Sequence, residues 1–120
     1  MITEDYVSFE IAKLLKEKGF DEVTSKWYLK YKGEYTLVSR GTAEHSNSSI
    51  DVPTLQMAMK WLREVHNLWC EISWEGKGLW CMEVFSLMDE EFIPGSIVHE
   101  IKSYEEACEA AIKYCLENLI

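Results

Sequence analysis

Apolar positions follow a helical period in three stretches of this chain and a strand period between them. The central stretch, residues 53–67, carries Leu55, Ala58, Met59, Leu62, Val65 and His66 on one stripe, with Gln56, Lys60, Arg63 and Glu64 mainly opposite. Met57 and Trp61 flank that stripe and widen it. Pro53 suits a first turn, Asp51 or Thr54 can cap the free N–H groups, and Asn67 is a natural stop. Residues 3–18 predict a first helix capped by Thr3, with Val7, Ile11, Ala12, Leu14 and Leu15 inward. Gly19 supplies a left-handed end and Phe20 folds back on the last turn. Residues 103–119 predict a third helix. It opens on the capping box Ser103-Tyr104-Glu105-Glu106 and presents Tyr104, Ala107, Cys108, Ala111, Ile112, Cys115 and Leu119.

The strand period appears first in residues 23–40. These predict a hairpin turning near Lys32-Gly33-Glu34, with aromatic residues on both faces. Residues 68–75 and 79–88 predict a second hairpin around Gly76-Lys77-Gly78. Pairing Trp74 with Trp80 places Leu68, Cys70, Ile72, Trp74, Trp80, Met82 and Val84 on one face. The other face then carries Trp69, Glu71, Ser73, Glu75, Cys81, Glu83 and Phe85. A two-residue loop would flip one strand and bury Glu83, at a high desolvation cost. Residues 97–101 predict a last short strand. The order α-β-β-α-β-β-β-α predicts one α+β domain over residues 1–120, with a mostly antiparallel sheet and helices on one face.

Charge narrows the partners. Residues 1–63 hold nine basic and nine acidic side chains, and residues 64–120 hold three basic against twelve acidic, so the whole net charge of −9 lies in the second half. Phosphate backbones and anionic membrane surfaces call for basic surface, so neither nucleic acid nor membrane is an expected partner. The N-terminus lacks a basic-then-apolar leader and no apolar run reaches the length of a membrane span, so a cytoplasmic setting with reduced cysteines is expected.

Candidate chemistry is sparse. Cys70, Cys81, Cys108 and Cys115 contain no Cys-x-x-Cys, and His45, His66 and His99 make no metal-spaced pair on any one element, so no metal or cofactor is expected. Cys70, Cys108 and Cys115 read as buried apolar residues, and Cys81 falls on the exposed face. His66 reads as a helix-end cap. The polar loop 41–51 holds His45 with Ser46, Ser48 and Ser49, but a flexible loop gives a nucleophile neither a positioned base nor an orienting group. The acidic turn at Asp89-Glu90-Glu91 lacks the spaced oxygen ligands of a calcium loop. Trp69, Glu71, Glu83, Phe85 and Leu87 form the candidate interaction surface, an aromatic patch beside carboxylates.

Three stretches, residues 2–20 (opening Ile2-Thr3-Glu4-Asp5-Tyr6), 53–68 and 104–120, together resemble a family of small uncharacterised proteins from Bacteroides-type gut bacteria, carried on phages or mobile elements. The resemblance covers a little under half of the chain, all in its helices. It implies a bacterial, intracellular setting and a phage connection, and it carries over no activity and no site residues. The expected function is a non-enzymatic module that binds another protein or a second copy of itself. An acidic decoy occupying a nucleic-acid-binding protein is the first alternative. A small enzyme using Glu71 and Glu83 is the second, with Trp69 stacking on a sugar.

Overall fold

The computed structural model describes residues 1–120 and has the expected α+β architecture. Its elements are α1 (Phe9–Glu17), β1 (Lys26–Tyr31), β2 (Glu34–Ser39), β3 (Ile50–Asp51), α2 (Leu55–His66), β4 (Leu68–Gly76), β5 (Leu79–Ser86), β6 (Glu91–Phe92), β7 (Val98–Ile101) and α3 (Tyr104–Asn118). Two short strands, β3 and β6, add to the expected order, and the strands divide into two antiparallel sheets rather than one. The smaller runs β2-β1-β3. In the larger, β4 lies on one side of β5, while β6 and β7 share the other side at opposite ends.

The core lies between the larger sheet and the helices. Cys70, Met82 and Val84 point inward from β4 and β5, and α3 meets them with Ala107, Cys108, Ala111, Ile112, Cys115 and Leu116, all fully buried. Small side chains on α3 bring its backbone close to the sheet, and the Cys70 and Cys115 sulfurs lie 3.9 Å apart as free thiols. The neighbouring Cys115 thiol, and then burial, push the Cys70 pKa up. Burial likewise raises Cys108, to about 11. Helix α2 seals the core beside α3 through Leu55, Ala58, Met59 and Leu62.

Two helix assignments change. Helix α1 starts at Phe9 with Ser8 as its cap, whose hydroxyl accepts from the Ile11 N–H, so Thr3 caps nothing. The chain before it is extended because it pairs with the entry to α2: the Val7 N–H donates to the Pro53 carbonyl and the Leu55 N–H to the Asp5 carbonyl. Thr54 and Ser103 do cap α2 and α3, and Asn67 ends α2 at φ 56°. On α2, Trp61 is core, edge-on to Phe20 at 5.4 Å, while Val65 one turn later lies beyond that cover and is exposed. His66, in the last turn of α2, stacks edge-on against Trp61 at 4.7 Å, and its buried Nε2 has no hydrogen-bond partner.

The register of the second hairpin is as expected, with Trp74 opposite Trp80, but the turn differs. Lys77 (φ 55°) and Gly78 (φ 74°) form a two-residue turn of the kind that suits twisted strands. Glu75 is an extra residue in β4, since Trp74 faces Trp80 and Gly76 faces Leu79. That bulge absorbs the one-residue shift a two-residue loop would otherwise cause, and Glu83 stays out of the core.

Val84 pairs with Cys70 of β4, but between β6 and β7 no strand meets it on the other side of β5. Ser96, fully buried, fills the gap. Its hydroxyl accepts from the Val84 N–H at 3.0 Å and donates to the Val84 carbonyl at 3.2 Å. Ser96→Ala strands that N–H in the core, and we expect it to lower unfolding stability by ~1–3 kcal/mol in urea melts. Val65→Ala, on an exposed helix flank, should stay within ~0.5 kcal/mol of wild type.

Candidate interaction surface

The outer face of the larger sheet is organised in rows, because residues paired across antiparallel strands share a face. Trp69 faces Phe85, which faces Phe92 on β6, so three aromatic residues line up across three strands. The next row is Glu71 opposite Glu83, and the next is Ser73 opposite Cys81. All three helices lie on the inner side or beside the smaller sheet, so no helix covers this face.

The residues expected here are brought together with graded exposure. Trp69 (38%) and Leu87 (42%) are open to solvent, as is Phe92 (39%), which the sequence did not single out. Phe85 is half-buried, with the Phe92 ring edge-on at 6.1 Å. Trp69 is held in place: its indole N–H donates to Glu71 Oε2 at 2.6 Å, and the Arg63 guanidinium lies 5.6 Å from its ring centre. Trp69, Glu71, Phe85, Leu87 and Glu90 border a broad, shallow depression of about 460 Å³. No lysine, arginine or histidine forms an ion pair with Glu71 or Glu83. Two like charges directly across a strand pair are unfavourable, so this row costs stability and leaves a need for positive charge.

The small-enzyme alternative requires a cleft, and Glu83 borders none of the principal depressions. On an open sheet both carboxylates would lie beneath a sugar ring rather than on opposite sides of the scissile bond.

Beyond the Ser73 row, three groups missed by sequence spacing converge. Cys81 is buried (7% exposed), against the expectation of an exposed thiol, and it lies among Glu75 of β4 and His99 of β7. His99 Nδ1 is 2.7 Å from Glu75 Oε2, and the Glu100 N–H donates to Glu75 Oε1 at 2.8 Å. That backbone N–H, and then His99, hold the Glu75 carboxyl below its ordinary value. Burial, then the charges of Glu75 and Glu83, push the Cys81 thiol up.

The loop 41–51 is also more ordered than its composition indicates. His45 Nε2 lies 2.8 Å from Asp51 Oδ1, Thr24 donates to the same oxygen, and Lys16 Nζ donates to the Asn47 and Ser49 carbonyls. Thr24, His45 and Asp51, with Trp27 and Arg40, border a hollow of about 250 Å³. The loop therefore does position a base. No serine reaches it, because Ser46, Ser48 and Ser49 bond one another. A nucleophile–base pair is absent.

Comparison with protein-family models, curated proteins and solved structures finds no match.

The like-charge row yields a test. Glu83→Lys turns the Glu71 pair attractive, and the urea midpoint at low salt should rise by the equivalent of ~0.2–1 kcal/mol. The gain should shrink in ~1 M salt, where the Debye length is about 3 Å. Destabilisation at both salts would mean that Glu83 is already neutralised.

Proposed function

We propose that this chain is a non-enzymatic protein-interaction module whose outer sheet face receives a segment of another protein carrying both basic and apolar side chains. The observation that carries this reading is the unneutralised Glu71/Glu83 row lying directly beside the uncovered aromatic row Trp69, Phe85 and Phe92. The aromatic side chains supply contact area at small entropic cost, and the carboxylates select and orient cationic groups. A basic patch in a partner would relieve the repulsion that this face carries alone.

Self-association fits less well, since a second copy docked face to face would set Glu71 and Glu83 against their own counterparts. The acidic decoy calls for a continuous ridge of carboxylates. Those of the second half are spread over the end of α2 (Glu64), the outer sheet face, the turn at Asp89-Glu90-Glu91, β7 (Glu100) and α3, which packs on the inner side. No helix is long and apolar enough to cross a membrane. We place the module in the bacterial cytoplasm, in phage–host or mobile-element biology, following the family resemblance of its helices.

The test is capture from bacterial lysate at low and high salt by three immobilised proteins: wild type, Trp69→Ala/Phe85→Ala, and Glu71→Gln/Glu83→Gln. The expected result is a species held by wild type and reduced by both variants, with the carboxylate variant insensitive to salt. A species washed from wild type and the aromatic variant alike by salt would favour the decoy. Sedimentation of the purified protein as a dimer that Trp69→Ala/Phe85→Ala dissociates would favour self-association.

A further inference from the structure

Two sheet irregularities deliver side chains to one point. The bulge in β4 inserts Glu75 next to the hairpin turn. A second bulge lies in β7: Trp80 faces Ile101 and Met82 faces Val98, so His99 and Glu100 together oppose Cys81. Glu100 adopts φ 59°, an uncommon and costly conformation for a residue with a Cβ. His99, next to Val98 opposite the inward Met82, falls on the outer face, and the extra residue Glu100 lets Ile101 still pair with Trp80. One carboxylate oxygen, one thiol sulfur and one imidazole nitrogen then lie within 4.8 Å of one another, from three strands.

We infer that Glu75, Cys81 and His99 form a binding site for a divalent metal ion of borderline softness, zinc above all, with the fourth position open to water. Thiolate, imidazole and carboxylate are the donor set such ions take, and three protein ligands with one open position is a recurrent zinc arrangement. Tetrahedral zinc at bond lengths of ~2.0–2.3 Å needs ligand atoms ~3.3–3.7 Å apart. Here the 2.7 Å Glu75 to His99 contact must widen by about 0.6 Å and the longer separations, up to 4.8 Å, must close by as much as about 1.3 Å. The His99 side chain is 57% exposed and free to make that adjustment. The ligands are also oriented: the Glu100 N–H holds the second carboxylate oxygen, as hydrogen bonds to metal-bound carboxylates do.

Charge favours the same conclusion. The only basic group paired with Glu75 is His99 itself, and Glu83 lies close to the thiol without a cationic partner. On binding, Cys81 loses its proton to solvent, the Nδ1 proton shared with Glu75 is exchanged through solvent for one on Nε2, and neutral His99 coordinates through Nδ1. Thiolate and carboxylate then balance the dication. The bound ion ties β7 to the turn end of the β4–β5 hairpin.

Cobalt(II) chloride serves as the probe, added to reduced, chelator-treated protein and followed by zinc(II) chloride. The expected result is saturation at one equivalent, a tetrahedral cobalt spectrum with a single-thiolate charge-transfer band, and displacement by zinc. Cys81→Ser should abolish the thiolate band, and His99→Ala should weaken binding about 100-fold or more, beyond the effect of losing an outer-sphere group. His99 is exposed, so its variant keeps the test decisive even where Cys81→Ser folds poorly. Zinc should also protect Cys81 from alkylation in peptide maps. Folded wild type with no thiolate-to-cobalt band, or a band that survives in Cys81→Ser, would overturn the assignment.

Discussion

The register of β4 against β5 is the constraint on which the rest of this molecule depends. It sends Leu68, Cys70, Met82 and Val84 under α2 and α3, and keeps the half-buried Glu71 and Glu83 out of the core. A slip of one residue would exchange those sets and desolvate both carboxylates. Three local devices hold the register. The Lys77-Gly78 turn sets the reversal, the Glu75 bulge restores the phase, and Ser96 completes the edge of β5 where no strand reaches. None of them is large. Together they keep one face dry and the other wet over two of the longest strands in the chain.

The outer face follows from that choice. Because side chains alternate, fixing the core also fixes which residues stand in line on the far side, and at what spacing. Rows two residues apart along a strand lie roughly 6.5–7 Å apart. An aromatic row, a carboxylate row and a thiol row therefore succeed one another over a short distance. The carboxylate row lowers stability, and the strained Glu100 backbone does too. Both local costs fall on the same face, beside the exposed Trp69 and the buried Cys81. Such costs placed away from the core are expected where a surface has a use beyond folding.

Much of the architecture was legible in the sequence, where one segment decides its own state. Thr54, Asn67 and the Ser103 half of the capping box act within a turn, and Gly19 with Phe20 ends α1 as expected through the Phe20 N–H to the Leu15 carbonyl. The Trp74 to Trp80 register was legible because only one phase keeps Glu83 wet. What escaped depends on segments distant in sequence. The start of α1 shifted because residues 5–7 pair with residues 53–55. Strands β3 and β6 hold two residues each, too few to show a period, yet Phe92 of β6 extends the aromatic row. Spacing along single elements could not reveal Glu75, Cys81 and His99, which meet across three strands through two bulges. His45 and Asp51 looked like loop composition and proved to be a bonded pair. The one available signal was the run of glycines around Lys77, which marks a place where the ladder can be irregular.

The most direct test of the account is the solvent exposure of the five tryptophan indoles, read from proton–nitrogen correlation spectra with and without a soluble paramagnetic agent. The account predicts strong attenuation for Trp69 and Trp74 and little for Trp27 and Trp61, which are 3% and 5% exposed. The Trp69 attenuation requires an outer face open to solvent in the free protein, while Trp74, on the core side of the sheet but 67% exposed near the hairpin turn, is the reference for an open indole. A Trp69 indole as protected as Trp61 would mean that this face is already covered, and would contradict its role as a free docking surface.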